Sequence, residues 1–515
     1  MIPINLDISR FFVPVVLVAI ASTICWVSAS DAILVTNLRE LTNVQALFKV
    51  LQDPLRAIPG PWYARFTSMV LKYKILTGQR MFYIHDLHKK YGPLVRVDSN
   101  EVSVNDLDGY REIHRIGSGF VKSEWYDLAT PGIELHAFTM TQVHEHAARR
   151  KLLARPFSRS SLLANFQALV TDRAQLAVSK MKSEAMKGDC NIMKWWTLMT
   201  TDVIAQVAFG EDSRLLEAGQ KTQYIDDLES IVMAWAFRGE APLLYSLMRI
   251  VYPSFIRECD RCLRNVVDYG TTAASRARKG ALQRYNVISG MIEASQAEGT
   301  SMTDFDLGSQ ASALIVAGSG TTAVTLTYAV WAILSHPTVK KRLEEEVCGL
   351  PDDYNDTILE KLPYLKAVIT ETLRLYGSAP GALPRTTPSK GIEITGKYIP
   401  PGVTVTTQSY TMHRDPSIFP DPEIFDPERF YNKDLAGSQK HAFGPFGGGT
   451  RVCLGIHLAE MELRHGITEF FRECRDFELS ERTTPESMEM ENYFLISPKS
   501  KRCLVKKKTV PPKVS

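Results

Sequence analysis

Residues Phe443 to Gly455 read Phe-Gly-Pro-Phe-Gly-Gly-Gly-Thr-Arg-Val-Cys-Leu-Gly, and no other stretch restricts the chain as much. Glycines at Gly447, Gly448 and Gly449 let the backbone take positive φ and come close to a flat ligand. An amphipathic helical pattern begins directly after Cys453, which puts that cysteine at a helix N-terminus. There the unpaired N–H groups and the macrodipole favour a thiolate. Arg451, two residues earlier, is placed to meet an anionic group on the same ligand. Each piece alone is an ordinary turn before a helix that contains a buried cysteine. The ordered string describes a protected thiolate with a cofactor lying over a glycine-rich loop.

The rest of the chain is able to house such a site. With 515 residues, 45% hydrophobic and 23% charged, it can bury a large core and is not of disordered composition. A net charge of +3 gives no footprint for nucleic acid. The eight cysteines stand at 25, 190, 259, 262, 348, 453, 474 and 503, mostly isolated. That spacing is no disulfide framework and fits a reducing compartment. Cys259 and Cys262 form a Cys-x-x-Cys pair without the second pair or histidines of a zinc site, and read as chance neighbours on a helix.

Near the N-terminus, Phe11 to Ala29 carries no charge over 19 positions. At about 1.5 Å per residue, a helix of that length nearly spans a hydrocarbon core of roughly 30 Å. A secretory signal, cleaved after Val27-Ser28-Ala29, and a membrane anchor with Trp26 at the interface both fit; the full apolar length favours the anchor. A mildly amphipathic stretch follows from Asn37 to Leu51, then the stiff elbow Ile58-Pro59-Gly60-Pro61, which separates anchor from body.

Beyond the elbow, Met81–Tyr91 reads as helix and Leu94–Val97 and Glu101–Val104 as strands turning at Ser99-Asn100. Gln142–Leu163 is a basic helical run with Arg149, Arg150, Lys151, Arg155 and Arg159, and His144 and His146 near its start; it suits a buried anion better than most charge runs. Helical patterns continue from Leu163 to Tyr285. Asp304–Ser335 is a long apolar helix interrupted by Ala317-Gly318-Ser319-Gly320-Thr321-Thr322. Mid-helix glycines cost about 1 kcal/mol each relative to alanine. The interruption therefore marks either a groove where a ligand passes or close helix packing through small residues. Pro363–Leu375 is a further helix that places Glu371 and Arg374 on one face. Gly391–Tyr398 and Val403–Thr407 read as β, His413–Phe430 as a proline- and aspartate-rich loop, and the basic tail Lys499–Ser515 as frayed.

Four of these motifs, in this order, resemble the cytochrome P450 family over about residues 55 to 505. Phe446-x-x-Gly449-x-Arg451-x-Cys453-x-Gly455 is similar to its haem-binding signature, Glu371-x-x-Arg374 to its Glu-x-x-Arg helix, and Pro427-Glu428-Arg429-Phe430 to the segment that completes that charge triad. Ala317–Thr322 resembles its oxygen-activation motif, and the elbow after an apolar anchor resembles the microsomal layout. The resemblance implies a mainly α fold with smaller β-sheets (α+β), with a haem between a long distal helix and a proximal cysteine loop. It divides the chain into a lumenal end (1–10), a transmembrane anchor (11–29), a membrane-surface linker (30–58) and a haem-thiolate catalytic domain (59–515).

It further implies heme b, iron protoporphyrin IX, with Cys453 as axial thiolate ligand and Phe446, Gly447 and Gly455 in the cofactor loop. Arg451, Arg150 and Arg385 fall where haem propionates are bound, and His146 falls where many members carry tryptophan. Glu371, Arg374 and Arg429 are implied to be structural. Thr321, with Ser319 and Thr322, is implied to deliver protons during oxygen activation. Gly320 stands where the pattern has Asp or Glu, so any proton relay runs through Ser319, Thr322 or water. Phe120, Trp125 and Tyr126, Ala379 to Leu383, and Tyr493-Phe494 are implied to surround a hydrophobic substrate.

The activity implied is insertion of one oxygen atom from O2, as hydroxylation, epoxidation or desaturation, with electrons from an NADPH–cytochrome P450 reductase. The location implied is the endoplasmic reticulum membrane, single-pass, with the catalytic domain facing the cytoplasm. The wording around the cysteine resembles fungal secondary-metabolism members, with an aromatic polyketide as the suggested substrate. Terpenoid or indole-diterpenoid oxidation is the alternative, as is an isomerase or dehydratase that needs no O2.

Overall fold

In the computed structural model the chain is described at residues 53–129, 136–220, 223, 226–227, 237–278, 285–435 and 437–508. The expected anchor at 11–29 and most of the membrane-surface linker lie outside those residues.

The architecture is mainly helical with small sheets, as expected. Its axis is α7, Asp304–Ser335, defining the numbering α1 Arg80–Tyr91, α2 Leu107–His114, α3 Val143–Ala154, α4 Arg159–Ala185, α5 Ile192–Phe209, α6 Pro253–Arg278, α8 Pro363–Tyr376 and α9 Ile456–Glu473. The helix α7 starts in a capping box: Thr303 Oγ1 accepts from the Asp306 N–H at 3.0 Å and the Asp306 carboxylate accepts from the Thr303 N–H at 3.2 Å. Apolar residues lie all round it, and it packs against α5, α6, α8 and α9, as a core helix must. It is also the one helix among the described residues long and apolar enough to cross a membrane, but most of its apolar window is buried inside the protein.

The helix α7 runs without a break through Gly318 and Gly320, so the expected interruption is absent. Packing outweighs local propensity here. A Cβ on Gly318 would stand 2.5 Å from Ile204 Cγ1 of α5, so this glycine allows close helix contact. A Cβ on Gly320 would meet only Leu495 Cδ1, at 3.9 Å. The two glycines thus divide the alternatives: packing at Gly318, open space at Gly320.

A five-stranded sheet, in the order β1-β2-β8-β5-β3, stands at one side of the helices. Its members are β1 Leu94–Asp98, β2 Glu101–Val104, β3 Val121–Lys122, β5 Arg385–Thr386 and β8 Thr404–Thr407. Strands β2 and β8 pair in parallel with Val102 opposite Val405. Residues β6 Ile392–Ile394 and β7 Lys397–Ile399 make a separate hairpin, and β10 Met490–Asn492 pairs with β11 Ile496–Pro498. The third sheet joins β4 Cys190–Asn191, β12 Leu504–Lys507 and β9 Phe477–Leu479. The strand β12 corrects the frayed-tail expectation as far as Lys507: the adjacent Leu504 and Val505 are both buried, while Lys506 and Lys507 meet Glu478, Glu481 and Asp476. The single basic helix expected over Gln142–Leu163 is two helices, α3 and α4. Ser158 caps the second, accepting from the Ser161 N–H at 3.3 Å.

Candidate functional site

The glycine loop is closed by its own backbone. The Cys453 N–H donates to Phe446 O at 2.9 Å, the Gly447 N–H to Gly444 O at 3.1 Å, and Phe446 packs on the main core. Gly449 has φ +62°, and a Cβ there would lie 1.8 Å from His114 O of α2. This glycine is required twice over, by conformation and by space. Gly449→Ala is expected to cost on the order of 2 kcal/mol or more, since it adds left-handed strain to a backbone clash. A urea titration of the variant, with its haem content, checks this.

Cys453 is solvent-accessible although protein surrounds it on most sides. Burial raises its thiol above the ordinary cysteine range; the Gly455 N–H and the Arg150 guanidinium oppose that rise. The thiol is thus held next to the two groups that stabilise its ionised form. Helix α9 begins two residues later with Gly455 as its N-cap.

Around the same loop stands a cluster of cations. Arg451 donates to Met140 O at 2.7 Å and Thr141 O at 3.3 Å, and Arg150 of α3 donates to Val452 O at 2.8 Å. Arg385 donates to Pro384 O at 2.9 Å. Lys122 of β3 donates to Phe138 O, with its ammonium 4.0 Å from the Tyr126 ring centroid. None of these four has a carboxylate partner among the described residues, whereas Arg149, Lys151 and Arg159 of the same basic run pair with Asp306, Glu298 and Glu360. Burial, with Arg385 beside it, lowers Arg451 to about 10; burial, with Arg385 and Arg451, pulls Lys122 well below its usual range. His146 is also buried here, and burial with these four cations around it pushes it down to about 3. Several buried positive charges without a counter-ion form a site for anionic groups. A thiol and an uncompensated cation cluster on one loop suit a metal-bearing cofactor with acidic substituents. The residues present therefore fit haem.

The three hydroxyl residues of α7 do not face one way. Thr321 is partly accessible and Thr321 Oγ1 donates to Ala317 O at 2.7 Å, within the helix. Ser319 and Thr322 are buried on the packed side. Ser319 O accepts from Thr200 Oγ1 of α5 at 2.6 Å, while Ser319 Oγ has no partner among the described residues. Thr322 is hydrogen-bonded to Glu462 of α9, a buried carboxyl that burial pushes up to about 8.

Behind the loop, the charge triad is as expected and more deeply enclosed than a surface pair. Arg374 Nε and Nη2 donate to the two Glu371 oxygens at 2.7 and 2.8 Å, and Arg429 Nε donates to Glu371 Oε1 at 3.1 Å. His413 ties this triad to the cysteine loop. The Gly444 N–H donates to His413 Nε2 at 3.1 Å, so Nδ1 carries the proton and donates to Arg374 O at 2.9 Å. Burial keeps this ring neutral, down to about 3 from an ordinary 6.5, and does the same to His114, with Arg385 adding. Both groups have depressed folded pKa values, so their contribution is complete above about 6.5 and is lost as pH falls towards about 3. Thermal midpoints are expected to fall through that window, by about 1.4 kcal/mol of stability per pH unit per histidine. Melting curves along a pH series check this.

Lys122, His413 and Glu462 escaped the sequence reading, because none stands in a motif and each is recruited from a distant element. Of the expected substrate-side residues, Trp125, Gly381, Ala382, Tyr493 and Phe494 line one cavity. Phe120 instead packs on the sheet-side core with Ile392. The Cys259–Cys262 pair is buried in α6, and no group of metal ligands occurs among the described residues.

The likeness to known proteins extends over this whole arrangement. The cytochrome P450 family model matches residues 58–505. The cytochrome P450 monooxygenase stcB of Emericella nidulans is 40% identical over 470 residues, 90% of this chain and 90% of that one. The cytochrome P450 monooxygenase tazI of Aspergillus terreus is 36% identical over 491 residues, 93% of this chain and 99% of that one. A methylphloroacetophenone oxidase of Cladonia uncialis is 30% identical over 399 residues, 74% of this chain and 87% of that one. The matched span takes in the cysteine loop, the cation cluster, the long helix and the buried triad alike, and the chain belongs to the cytochrome P450 monooxygenase family.

Proposed function

We propose that this P450 monooxygenase holds heme b through the Cys453 thiolate and inserts one oxygen atom from O2 into an aromatic small molecule of a fungal secondary-metabolite pathway. The observation that carries the cofactor assignment is the convergence of Cys453 with Arg150, Arg385, Arg451 and Lys122, none of them neutralised by a carboxylate. Once bound, the haem supplies the redox chemistry of O2 activation, with electrons from an NADPH-dependent reductase.

The chain's own residues do the rest. Cys453 would hold the haem as a thiolate, and the Gly455 N–H beside it would moderate the charge on sulfur. Arg150, Arg385, Arg451 and Lys122 neutralise the propionates, with His146 donating beside them. Thr321 spends its proton on Ala317 O, so only its lone pairs face outward. With Gly320 offering no carboxyl, a water in the space beside Gly320 would donate to the outward lone pairs of Thr321 Oγ1 and be held there as the proton carrier, Thr321 keeping its own proton on Ala317 O. Trp125 and Phe494, stacked at 5.9 Å with an 18° tilt, shield the substrate side from bulk water.

A relative named for oxidising methylphloroacetophenone supports the aromatic class. Membrane attachment, on the endoplasmic reticulum with the domain facing the cytoplasm, is supported by the exposed Trp62, Phe66 and Met69 just after the proline elbow. Product profiling with the reductase tests the proposal: O2-dependent products carrying one added oxygen, or lacking two hydrogens, are expected from aromatic polyketides. Turnover without O2 and reductase would make the enzyme an isomerase or dehydratase and refute it; conversion of terpenoids alone would refute the substrate class.

A further inference from the structure

A cavity of about 220 Å³ opens between the start of α1 and the turn after β10. Its walls are of two kinds. Trp125 and Phe494 are flat and apolar, whereas Arg80, Glu101, Ser123 and Glu240 are polar and line the same space. Ser123 is 3% exposed and its Oγ has no partner among the described residues; Arg80 Nε is likewise buried without one there. Arg80 Nη2 is already committed to Glu101, which also accepts from Thr406 Oγ1 at 3.2 Å. Arg80 is paired with Glu101 and acts on Glu240 only at longer range, as does Lys72, while the Trp125 indole N–H faces the Glu240 carboxyl. Burial pushes Glu240 up to about 7, with Arg80 opposing and Glu101 adding. The cavity lies beside the haem-side wall: Pro384 and Phe494 line it, while their neighbours Arg385 and Leu495 face the cation cluster and Gly320.

We infer that this cavity is a polar anchoring subsite for a phenol that carries a carbonyl group next to its ring hydroxyl. The carbonyl accepts from Arg80 Nε–H and Ser123 Oγ–H, the hydroxyl donates to Glu240, and the ring lies along Trp125 and Phe494. A hydrocarbon or a plain terpenoid leaves those groups buried and unsatisfied, which a site of this kind rejects. The inference rests on the proposed oxidation of an aromatic small molecule and sharpens it: the substrate is oriented by polar contacts at its far end, not by apolar fit alone.

Isothermal titration calorimetry on the haem-loaded protein, with phloroacetophenone and its trimethyl ether, tests this. Phloroacetophenone is expected to bind about tenfold or more tightly than the ether. Glu240→Gln is expected to shrink that ratio several-fold while leaving the ether, which has no hydroxyl to donate, unaffected. Ser123→Ala is expected to weaken both ligands several-fold, since both carry the carbonyl, and unchanged haem content shows that the variants fold. Equal affinity for the two ligands, no binding of phloroacetophenone, a ratio unmoved by Glu240→Gln, or affinities unmoved by Ser123→Ala would overturn the subsite. Failure of the wider reading looks different: it removes O2-dependent product from every ligand and leaves the Kd ratio intact.

Discussion

Replacing Cys453 by alanine is expected to abolish the thiolate-type carbon monoxide difference spectrum and all O2-dependent turnover. Sulfur is the only soft ligand that the loop offers, and a haem held there by its propionates alone lacks the axial electron donation that favours O–O cleavage. The chain should nevertheless fold. Cys453 Sγ is accessible and makes no core contact, and the loop is closed by the Cys453 N–H to Phe446 O bond, which alanine keeps. Urea midpoints of the apo variant within about 1 kcal/mol of the parent are therefore expected. A variant that kept the thiolate-type spectrum would sink the ligand assignment. Cys453→Ser separates the roles further: it preserves shape and hydrogen bonding but not the sulfur, so the spectrum should still be lost.

Arg374→Met should be the most destabilising single change outside the cofactor loop. Arg374 and Glu371 are both 0% exposed at their side chains, and no water can replace a missing partner. Besides binding Glu371, Arg374 donates to His413 O at 2.8 Å, Pro422 O at 2.6 Å and Ile424 O at 3.1 Å, so three loop carbonyls lose a donor with it, Ile424 O keeping one from Arg429. Glu371 keeps Arg429 and the Asp426 N–H but loses its bidentate partner. Breaking one side of a buried ion pair costs roughly 3–5 kcal/mol, a large part of the 5–15 kcal/mol that holds a typical domain together. Soluble yield and haem content should collapse together, because His413 carries the disturbance to Gly444 at the mouth of the cysteine loop. The double variant Glu371→Met, Arg374→Met removes both charges and should recover part of the loss in urea titrations. Additive losses would mean that the pair does not act as a unit.

Sequence reading went furthest where chemistry demands neighbours in sequence. The cysteine loop, Glu371 with Arg374 one helical turn apart, and the proline elbow are each set by local geometry, and the structure places them accordingly. It went least far at Ala317–Thr322. Local propensity predicts a break there, and packing against Ile204 removes it. The three hydroxyls looked equivalent in the chain, yet α7 turns Thr321 outward and buries Ser319 and Thr322, because residues on successive positions of a helix point about 100° apart.

The cation cluster shows the same division. Arg451, two residues from Cys453, was legible, and Arg150, Arg385 and His146 followed from the family resemblance. Lys122, from an edge strand of two residues, was not. The sequence by itself determined the family, the ligand cysteine it implies and the buried triad, because those depend on residue types at fixed short spacing. Tertiary structure alone decided which charges go unpaired, which hydroxyl faces outward and which polar groups line the cavity proposed for the substrate. Burial and the loss of water set those properties, and burial belongs to a site only when distant segments close over it.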